Sequence, residues 1–362
     1  MRAIPRMVTA FLLLFMTAVT AHAIDVSAAS AVLYEAETGR ILFSKNAEQQ
    51  RPIASTTKIM TALLVVEHGG LDETVTIRKE CTGKEGTSLY LKPGERLTVR
   101  TLLYGLMLQS GNDAAEVLAC HVAGDIPSFV AQMNARAQEL GMTHTHFLNP
   151  HGLPAEGHGA SALDMARLTA AAMQNEDFRA VVSAKSYSAE GHTFTNHNRL
   201  LRMREEIDGV KTGFTRAAGR CLVSSCLRGE MRLVAVTLAD PDDWDDHLAL
   251  YDYGYGAFAR RSFAQKDAQI CAIPVVGSGK AIPARAADTL LCVEEKETLS
   301  NTRYEIYAPR FCYAPVKTGD VVGELRLVRD GRVVASCNLL AGEEAALPEE
   351  PGLLSRLFSW LK

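Results

Sequence analysis

Apolar and polar residues alternate with two different periods over the first two thirds of the chain. Apolar residues recur at helical spacing in several segments, which predicts helices at 57–67, 99–108, 114–122, 126–140 and 162–173. Two pairs of strand-like runs flank short turns and predict hairpins, one from 31–34 with 41–43 and one from 219–227 with 231–238. Strands at both ends with helices between them predict one α+β domain over 24–263.

The helical period disappears after residue 263. Short strand-like runs broken by Gly, Pro and Lys follow, which predicts a small all-β domain over 264–345. The segment 346–362 combines an acidic linker with LLSRLFSWLK, whose apolar residues share one helical face. This pattern is typical of an amphipathic helix that lies on a membrane surface and is too short to span it. Docking of this helix onto the β domain is the alternative.

The first 23 residues have the pattern of a secretory signal peptide. Two arginines precede the apolar run VTAFLLLFMTAV, and the small-residue site Ala-His-Ala ends at Ala23. The alternative is an uncleaved anchor, but the apolar run is short for a membrane span. Export would permit disulfides among the eight cysteines. None of them forms a CxxC pair, and Cys221 and Cys226 should face opposite sides of a strand, so free buried thiols are favoured.

Composition excludes some functions without selecting one. The 362 residues are 47% hydrophobic and carry a formal net charge of −4. This composition supports a buried core, and it argues against nucleic acid as a partner because phosphate binding usually needs a basic surface. Four histidines, at 144, 146, 151 and 158, lack a familiar zinc spacing. We therefore expect neither a metal nor a cofactor.

Three short motifs have the residue types of a serine acyl-transfer site. Ser55 and Lys58 are three residues apart at the start of an apolar helix, so a lysine amine can lie beside a serine hydroxyl and accept its proton. Ser110 and Asn112 lie in a polar turn between two helices. The sequence Lys-Thr-Gly occurs at 211–213, before the second hairpin, and again at 317–319 in the β-rich tail. We assign the second copy to structure, while Gly213 in the first would let a substrate backbone approach closely.

The ordered trio STTK, SGN and KTG resembles the penicillin-recognising serine enzymes. The stretches NPHGL, SALDMA, NHNRLL and DGVKTGFT make the resemblance closest to the low-molecular-mass penicillin-binding proteins that act as serine-type D-alanyl-D-alanine carboxypeptidases. It covers nearly all of the chain after residue 23. The resemblance implies a transpeptidase/β-lactamase-like catalytic domain, with an antiparallel sheet flanked by helices, followed by the small all-β domain.

The resemblance also implies a role for each motif residue. Ser55 would attack the carbonyl of the penultimate D-alanine, with Lys58 as the base, and Ser110 would pass a proton to the leaving amine. The implied substrate-binding residues are Asn112, Lys211, Thr212, Gly213 and Phe214. Among these, Thr212 would bind the terminal carboxylate, and the backbone amides of Ser55 and Phe214 would form the oxyanion hole. The charge of Lys211 would help to keep Lys58 neutral.

The implied function is an exported carboxypeptidase that removes the terminal D-alanine from peptidoglycan stem peptides and is acylated by β-lactams. It would act at the outer face of the cytoplasmic membrane, anchored peripherally by its last helix. Two departures qualify this expectation. The acidic run ADPDDWDDH stands where many relatives have a carboxylate-binding arginine, and no deacylating glutamate of the class A β-lactamases is recognisable. A β-lactamase and a non-catalytic cell-wall binding protein remain the alternatives.

Overall fold

The computed structural model describes residues 24–297 and 302–347. The predicted signal peptide and the predicted C-terminal helix lie outside these ranges. The α-helices are α1 Lys58–His68, α2 Val99–Leu108, α3 Asn112–Ala123, α4 Ile126–Glu139, α5 Ala162–Ala172, α6 Glu176–Ser183, α7 Leu200–Met203 and α8 Asp243–Ala257. Two short 3₁₀ turns, Ala54–Thr57 and Lys79–Cys81, precede α1 and follow β3.

The strands fall into an early group and a late group. The early strands are β1 Ser30–Glu35, β2 Ile41–Lys45, β3 Thr74–Thr76, β4 Arg96–Thr98, β5 Ser186–Ala189, β6 His192–Thr195, β7 Ile207–Thr215, β8 Gly219–Arg228 and β9 Met231–Leu238. The late strands are β10 Phe258–Ala264, β11 Gln269–Val276, β12 Lys280–Ala286, β13 Leu290–Glu295, β14 Thr302–Tyr307, β15 Cys312–Tyr313, β16 Val321–Arg329 and β17 Arg332–Ala341.

The strands β2, β1, β9, β8 and β7 lie in that order in an antiparallel sheet, so the first and last parts of the α+β region pair directly. The strand β7, which carries the first Lys-Thr-Gly, lies at one edge of this sheet. One face of the sheet packs on a core formed with α1 to α6, and the other face packs on α8. Helix α1 is buried over nine consecutive residues, 58–66, as expected for a helix that is apolar on all sides.

The late strands form a separate sheet-rich region. The order β14, β16, β17, β12, β11, β15 defines its main sheet, and β10 pairs with β13 beside it. Its apolar side chains form a core of their own. The second Lys-Thr-Gly copy lies here, in an exposed turn before β16 where the Lys317 amide donates to the Asp320 carboxylate.

Both predicted hairpins are present as β1–β2 and β8–β9, and each of the five predicted helices is present within about two residues at its ends. Helix α8 was not predicted, although its first turn holds Asp243, Asp245 and Asp246. Acidic side chains are favourable at a helix N-terminus, so this run was a readable start signal. Among the described residues, no single helix is long and apolar enough to span a membrane. The sharply bent pair α3 and α4 would be long and apolar enough only if the two helices are taken together.

The loop containing NPHGL packs directly against the turn that carries Ser55. Gly152 has φ +89°, and a Cβ placed on it would lie 1.9 Å from the carbonyl oxygen of Ala54. The positive φ favours glycine, and the contact excludes any side chain. Gly157, in the same loop, has φ +86° but no atom within 4 Å of such a Cβ.

We predict that Gly152→Ala lowers the free energy of unfolding by about 3 kcal/mol, because both the backbone strain and the contact with Ala54 must be relieved. Gly157→Ala is the matched control and should cost only about 1 kcal/mol, for the positive φ alone. Urea denaturation of the two variants measures the difference. Equal losses would show that the close approach at Gly152 is not rigid.

Candidate active site

Ser55 and Lys58 lie where a 3₁₀ turn passes into α1. In a 3₁₀ turn, side chains three residues apart are nearly eclipsed, so the two side chains project together. The Lys58 Nζ and Ser55 Oγ atoms are 3.1 Å apart. Ser55 is half-buried, whereas Lys58 is completely buried. The sequence thus brings a serine hydroxyl into contact with an amine that water does not reach.

Two further oxygen atoms surround the Lys58 amine. The Asn112 Oδ1 and the His151 carbonyl oxygen each lie 2.7 Å from Nζ. Burial and the nearby charge of Lys211 hold the pKa of Lys58 well below its ordinary value, against a smaller opposing effect of Asp113. A neutral amine has two N–H donors and one lone pair. The amide and carbonyl oxygens can only accept, so they take the two donors, and the lone pair then faces the hydroxyl of Ser55.

The Ser110-Gly-Asn turn joins α2 to α3. Ser110 is buried and has φ +65°, an uncommon backbone conformation that is concentrated at functional sites. Asn112 begins α3 and is also buried. Besides the bond to Lys58, its Nδ2 donates to the Glu85 carbonyl at 2.6 Å. In this structure the Asn112 amide therefore orients the lysine, and its expected contact with substrate stays a prediction.

The first Lys-Thr-Gly lies on β7 beside the Ser55 turn. Lys211 is buried, donates to the Thr212 carbonyl at 2.9 Å, and has a pKa lowered by burial to about 7. A Cβ on Gly213 would lie 3.0 Å from the Ser55 nitrogen and 3.1 Å from the Ile53 oxygen. We expected the glycine to make room for substrate. In the structure, such a Cβ would meet backbone atoms of the turn Ala54–Thr57, called here the nucleophile turn after the proposed role of Ser55, so the glycine lets the strand approach this turn. Its role in admitting a substrate backbone stays a prediction.

A cleft of about 500 Å³ opens over these residues. Its lining includes the predicted residues Ser55, Ser110, Thr212, Gly213 and Phe214. The side chains of Lys58, Asn112 and Lys211 are not part of the lining and are buried close to it. The predicted site residues thus meet in one place, with hydroxyl groups lining the cleft and the amines and an amide buried behind them.

Sequence reasoning missed the carboxylate that holds one wall of the cleft. Asp113 is fully buried and accepts hydrogen bonds from the Ser88 hydroxyl and from the amides of Leu89 and Leu91, at 2.6 to 3.1 Å. The backbone N–H of the neighbouring Asn112 donates to the Thr87 carbonyl at 2.8 Å. The first turn of α3 therefore fixes the segment 82–91. An acidic residue in the first turn of a helix, directly after SGN, was the available signal.

Sequence reasoning also missed an arginine in the cleft. Arg220 lies opposite Phe214 on the neighbouring strand and lines the cleft together with Asp243 and Trp244. Its guanidinium donates to the Asp243 carboxylate and lies 5.5 Å from the centre of the Trp244 ring. Asp243 and Trp244 belong to the acidic run of the sequence, which was read only as the loss of an arginine. The signal for Arg220 was its place near the start of the predicted strand 219–227, a few residues after Lys-Thr-Gly.

Two of the four clustered histidines support the nucleophile turn. His158 Nε2 lies 2.9 Å from the Thr57 hydroxyl, and its Nδ1 accepts from the Leu148 amide. The backbone carbonyl of His151 accepts a hydrogen bond from the Lys58 amine. Burial lowers the pKa of His151 to about 3 and that of His158 to about 4, so both imidazoles are neutral at ordinary pH. Among the residues that the structure describes, no group of three or more His, Cys, Asp or Glu could hold a metal ion.

A serine beside a buried lysine, at the junction of an antiparallel sheet and a helical layer, defines a serine peptidase of the penicillin-recognising fold. Residues 17–242 match the peptidase family S11, described as D-alanyl-D-alanine carboxypeptidase. The chain belongs to this family.

Relatives and solved structures extend the similarity beyond the catalytic region. The chain is 32% identical to D-alanyl-D-alanine carboxypeptidase DacF of Bacillus subtilis, over 88% of this chain and 85% of that protein. It is also 32% identical to the carboxypeptidase DacC of Escherichia coli, over 94% and 89%. Penicillin binding protein 5 from Haemophilus influenzae has a similar structure, with a TM-score of 0.80 and 28% identity over 89% of this chain and 98% of that chain.

The lowered pKa of Lys211 leads to a prediction about pH. Its charged form should be the active one, because a positive charge beside the cleft attracts the substrate's carboxylate. We therefore predict that kcat/KM falls as the pH rises through about 7, where the free enzyme loses this proton. In the kcat profile the fall should occur at higher pH, since a bound anion stabilises the charged lysine.

Initial rates of D-alanine release between pH 5 and pH 10 test this assignment. The control is Lys211→Arg, whose guanidinium stays charged over this range, so its residual activity should show no such alkaline fall. A fall that persists unchanged in Lys211→Arg would assign the titration to another group.

Proposed function

We propose that this protein is an exported serine carboxypeptidase that removes the terminal D-alanine from peptidoglycan stem peptides through an acyl-enzyme on Ser55. The relatives' common activity supports the substrate class. The observation that carries the mechanism is the set of oxygen atoms around the Lys58 amine. Two of them bind its N–H groups, which leaves the lone pair for the Ser55 proton.

The reaction begins when Ser55 Oγ attacks the carbonyl of the penultimate D-alanine and Lys58 takes the serine proton. The backbone amides of Ser55 and Phe214 stabilise the negative charge that develops on the carbonyl oxygen. Ser110 then passes a proton to the amine of the departing D-alanine, with Lys211 nearby. Water hydrolyses the resulting ester and regenerates the enzyme.

The substrate binds along β7, the edge strand of the sheet, as an added extended peptide does in other proteins. Its terminal carboxylate binds the Thr212 hydroxyl together with Arg220. Thr212 and Arg220 lie on the same face of the β7–β8 pair, because Thr212 is two residues before the partner of Arg220. The Nε of Arg220 is buried and makes no hydrogen bond within the described residues.

The same site accounts for acylation by β-lactams, whose carboxylate and strained amide take the places of the substrate's carboxyl end and peptide bond. Export follows from the signal-peptide pattern at 1–23, and peripheral attachment to the outer face of the cytoplasmic membrane follows from the amphipathic segment at the C-terminus. Asn112 contributes by orienting Lys58 and by offering its remaining N–H to the substrate.

We predict that Ser55→Ala abolishes release of D-alanine from a peptide that ends in D-alanyl-D-alanine, and that it also abolishes the covalent adduct with penicillin. The measurements are an assay of free D-alanine and the intact mass of the penicillin-treated protein.

We predict that Lys211→Ala lowers kcat/KM by about a hundredfold or more, since it removes a charge from a site that holds little water. Lys317→Ala, in the second Lys-Thr-Gly, is the matched control and should retain the wild-type rate.

Two results would overturn the proposal. Rapid hydrolysis of penicillin with no release of D-alanine by the folded wild-type protein would identify a β-lactamase. No release and no penicillin adduct, across several stem peptides, would identify a non-catalytic cell-wall binding protein.

We predict that Arg220→Ala raises KM by roughly tenfold to a hundredfold, the usual cost of losing a hydrogen bond to a charged group. For a stem peptide whose terminal carboxylate is amidated, KM should be the same in Arg220→Ala and in the wild type. Arg199→Ala is the control, because Arg199 lies over the same Trp244 ring but does not line the cleft. If amidated and free peptides lose equally, Arg220 acts through the shape of the cleft.

A further inference from the structure

Two cysteine side chains meet behind the active-site helix. The Cys81 and Cys120 Sγ atoms are 3.9 Å apart. Cys81 ends the 3₁₀ turn Lys79–Cys81, and Cys120 lies in the last turn of α3. All eight cysteines lie within the described residues and are free thiols in the structure. The separation of this pair is that of two thiols in contact, so the sulfur atoms must approach by about 2 Å to reach the length of a disulfide bond.

A reagent can reach the pair from solvent. A cavity of about 310 Å³ opens over it, lined by both cysteines and by Arg78, Val117 and His121 among others. Cys120 is partly exposed, whereas Cys81 is only 2% exposed. The two thiols are therefore unequal, since Cys120 is the more accessible to an external disulfide and Cys81 lies behind it in contact with its sulfur.

We propose that Cys81 and Cys120 form a disulfide in the exported protein, and that this bond ties the segment 82–91 to the active-site helix α3. The proposal rests on the proposed export, because disulfides persist outside the cytoplasm. Nothing in the carboxypeptidase mechanism uses either cysteine.

The bond forms by exchange with an external disulfide, such as glutathione disulfide or that of a thiol oxidoreductase. The Cys120 thiolate attacks one sulfur of that disulfide, which releases one external thiolate. Cys81 then gives up its proton and attacks the Cys120 sulfur, which releases the second. The two protein thiols are oxidised, one external disulfide is reduced, and the two protons pass to the released thiolates. Burial raises the pKa of Cys81 to about 12, so the second step should accelerate as the pH rises.

The position of this bond gives it a structural consequence at the active site. The segment 82–91 is already held to the first turn of α3, where Asn112 binds the Glu85 and Thr87 carbonyls and Asp113 binds three groups of 88–91. Cys120 lies at the opposite end of the same helix. A disulfide there would fix the start of the segment as well, so that α3 holds it at both ends and the Asn112 contact with Lys58 is secured.

The test uses the purified full-length protein, reduced and then incubated with excess glutathione disulfide. Alkylation under denaturing conditions, intact mass and peptide mapping count the thiols. We expect two thiols to disappear and the Cys81 and Cys120 peptides to become linked. In Cys81→Ser, Cys120 should instead retain one glutathione, whereas in Cys120→Ser the buried Cys81 should remain unmodified. Eight alkylated thiols, or linkage of other cysteines, would overturn the proposal.

Stability gives a second readout that does not depend on catalysis. The oxidised protein should have a Tm about 5 to 10 °C above that of the reduced protein, because the bond restricts the unfolded chain. The double variant Cys81→Ser, Cys120→Ser should show no such shift between oxidising and reducing conditions. Thiol trapping of the protein taken from its cells completes the test, and a fully reduced pair there would overturn the proposal. Each measurement stands even if no D-alanine is released.

Discussion

The site depends on the burial of one lysine amine. Burial and the nearby charge of Lys211 hold the pKa of Lys58 well below its ordinary value, which favours the neutral amine, and a neutral amine has a lone pair that an ammonium lacks. The amide oxygen of Asn112 and the carbonyl of His151 take its two donors. Three distant parts of the chain are joined at one nitrogen atom: the start of α1, the start of α3 and the NPHGL loop. The proposed role of Ser55 as nucleophile depends on the direction of the remaining lone pair.

Close contact of backbones keeps this arrangement in place. Two glycines contact the nucleophile turn. Gly152 from the loop leaves no space for a Cβ, and a Cβ on Gly213 from the edge strand would be in unusually tight contact with the turn. His158 adds a hydrogen bond to Thr57 in the same turn. Because close packing transmits small displacements, we expect Gly152, Gly213 and His158 to influence the distance between Ser55 Oγ and Lys58 Nζ.

The second layer of support comes from α3. Its first turn holds the wall segment 82–91 through Asn112 and Asp113, and its last turn brings Cys120 against Cys81. The edge strand β7 forms the opposite wall, with Thr212 and the neighbouring Arg220 facing the cleft. The cleft therefore lies between a wall fixed by carboxylate and amide hydrogen bonds and the edge strand of the antiparallel sheet.

The sequence by itself determined the α+β pattern, both hairpins, the five central helices and the motif residues, because apolar periodicity and local motifs are recorded in short stretches of chain. It did not predict α8, whose acidic start was read only as the loss of an arginine, and it did not reveal that Gly213 lies against the turn that carries Ser55. Only the tertiary structure showed that Asp113 binds residues 88–91 and that Arg220 lines the cleft. It alone showed that Asn112 accepts a hydrogen bond from Lys58 and that the Cys81 and Cys120 sulfur atoms are in contact. These facts depend on contacts between residues far apart in the sequence, and no local pattern encodes which distant group will lie beside a buried one.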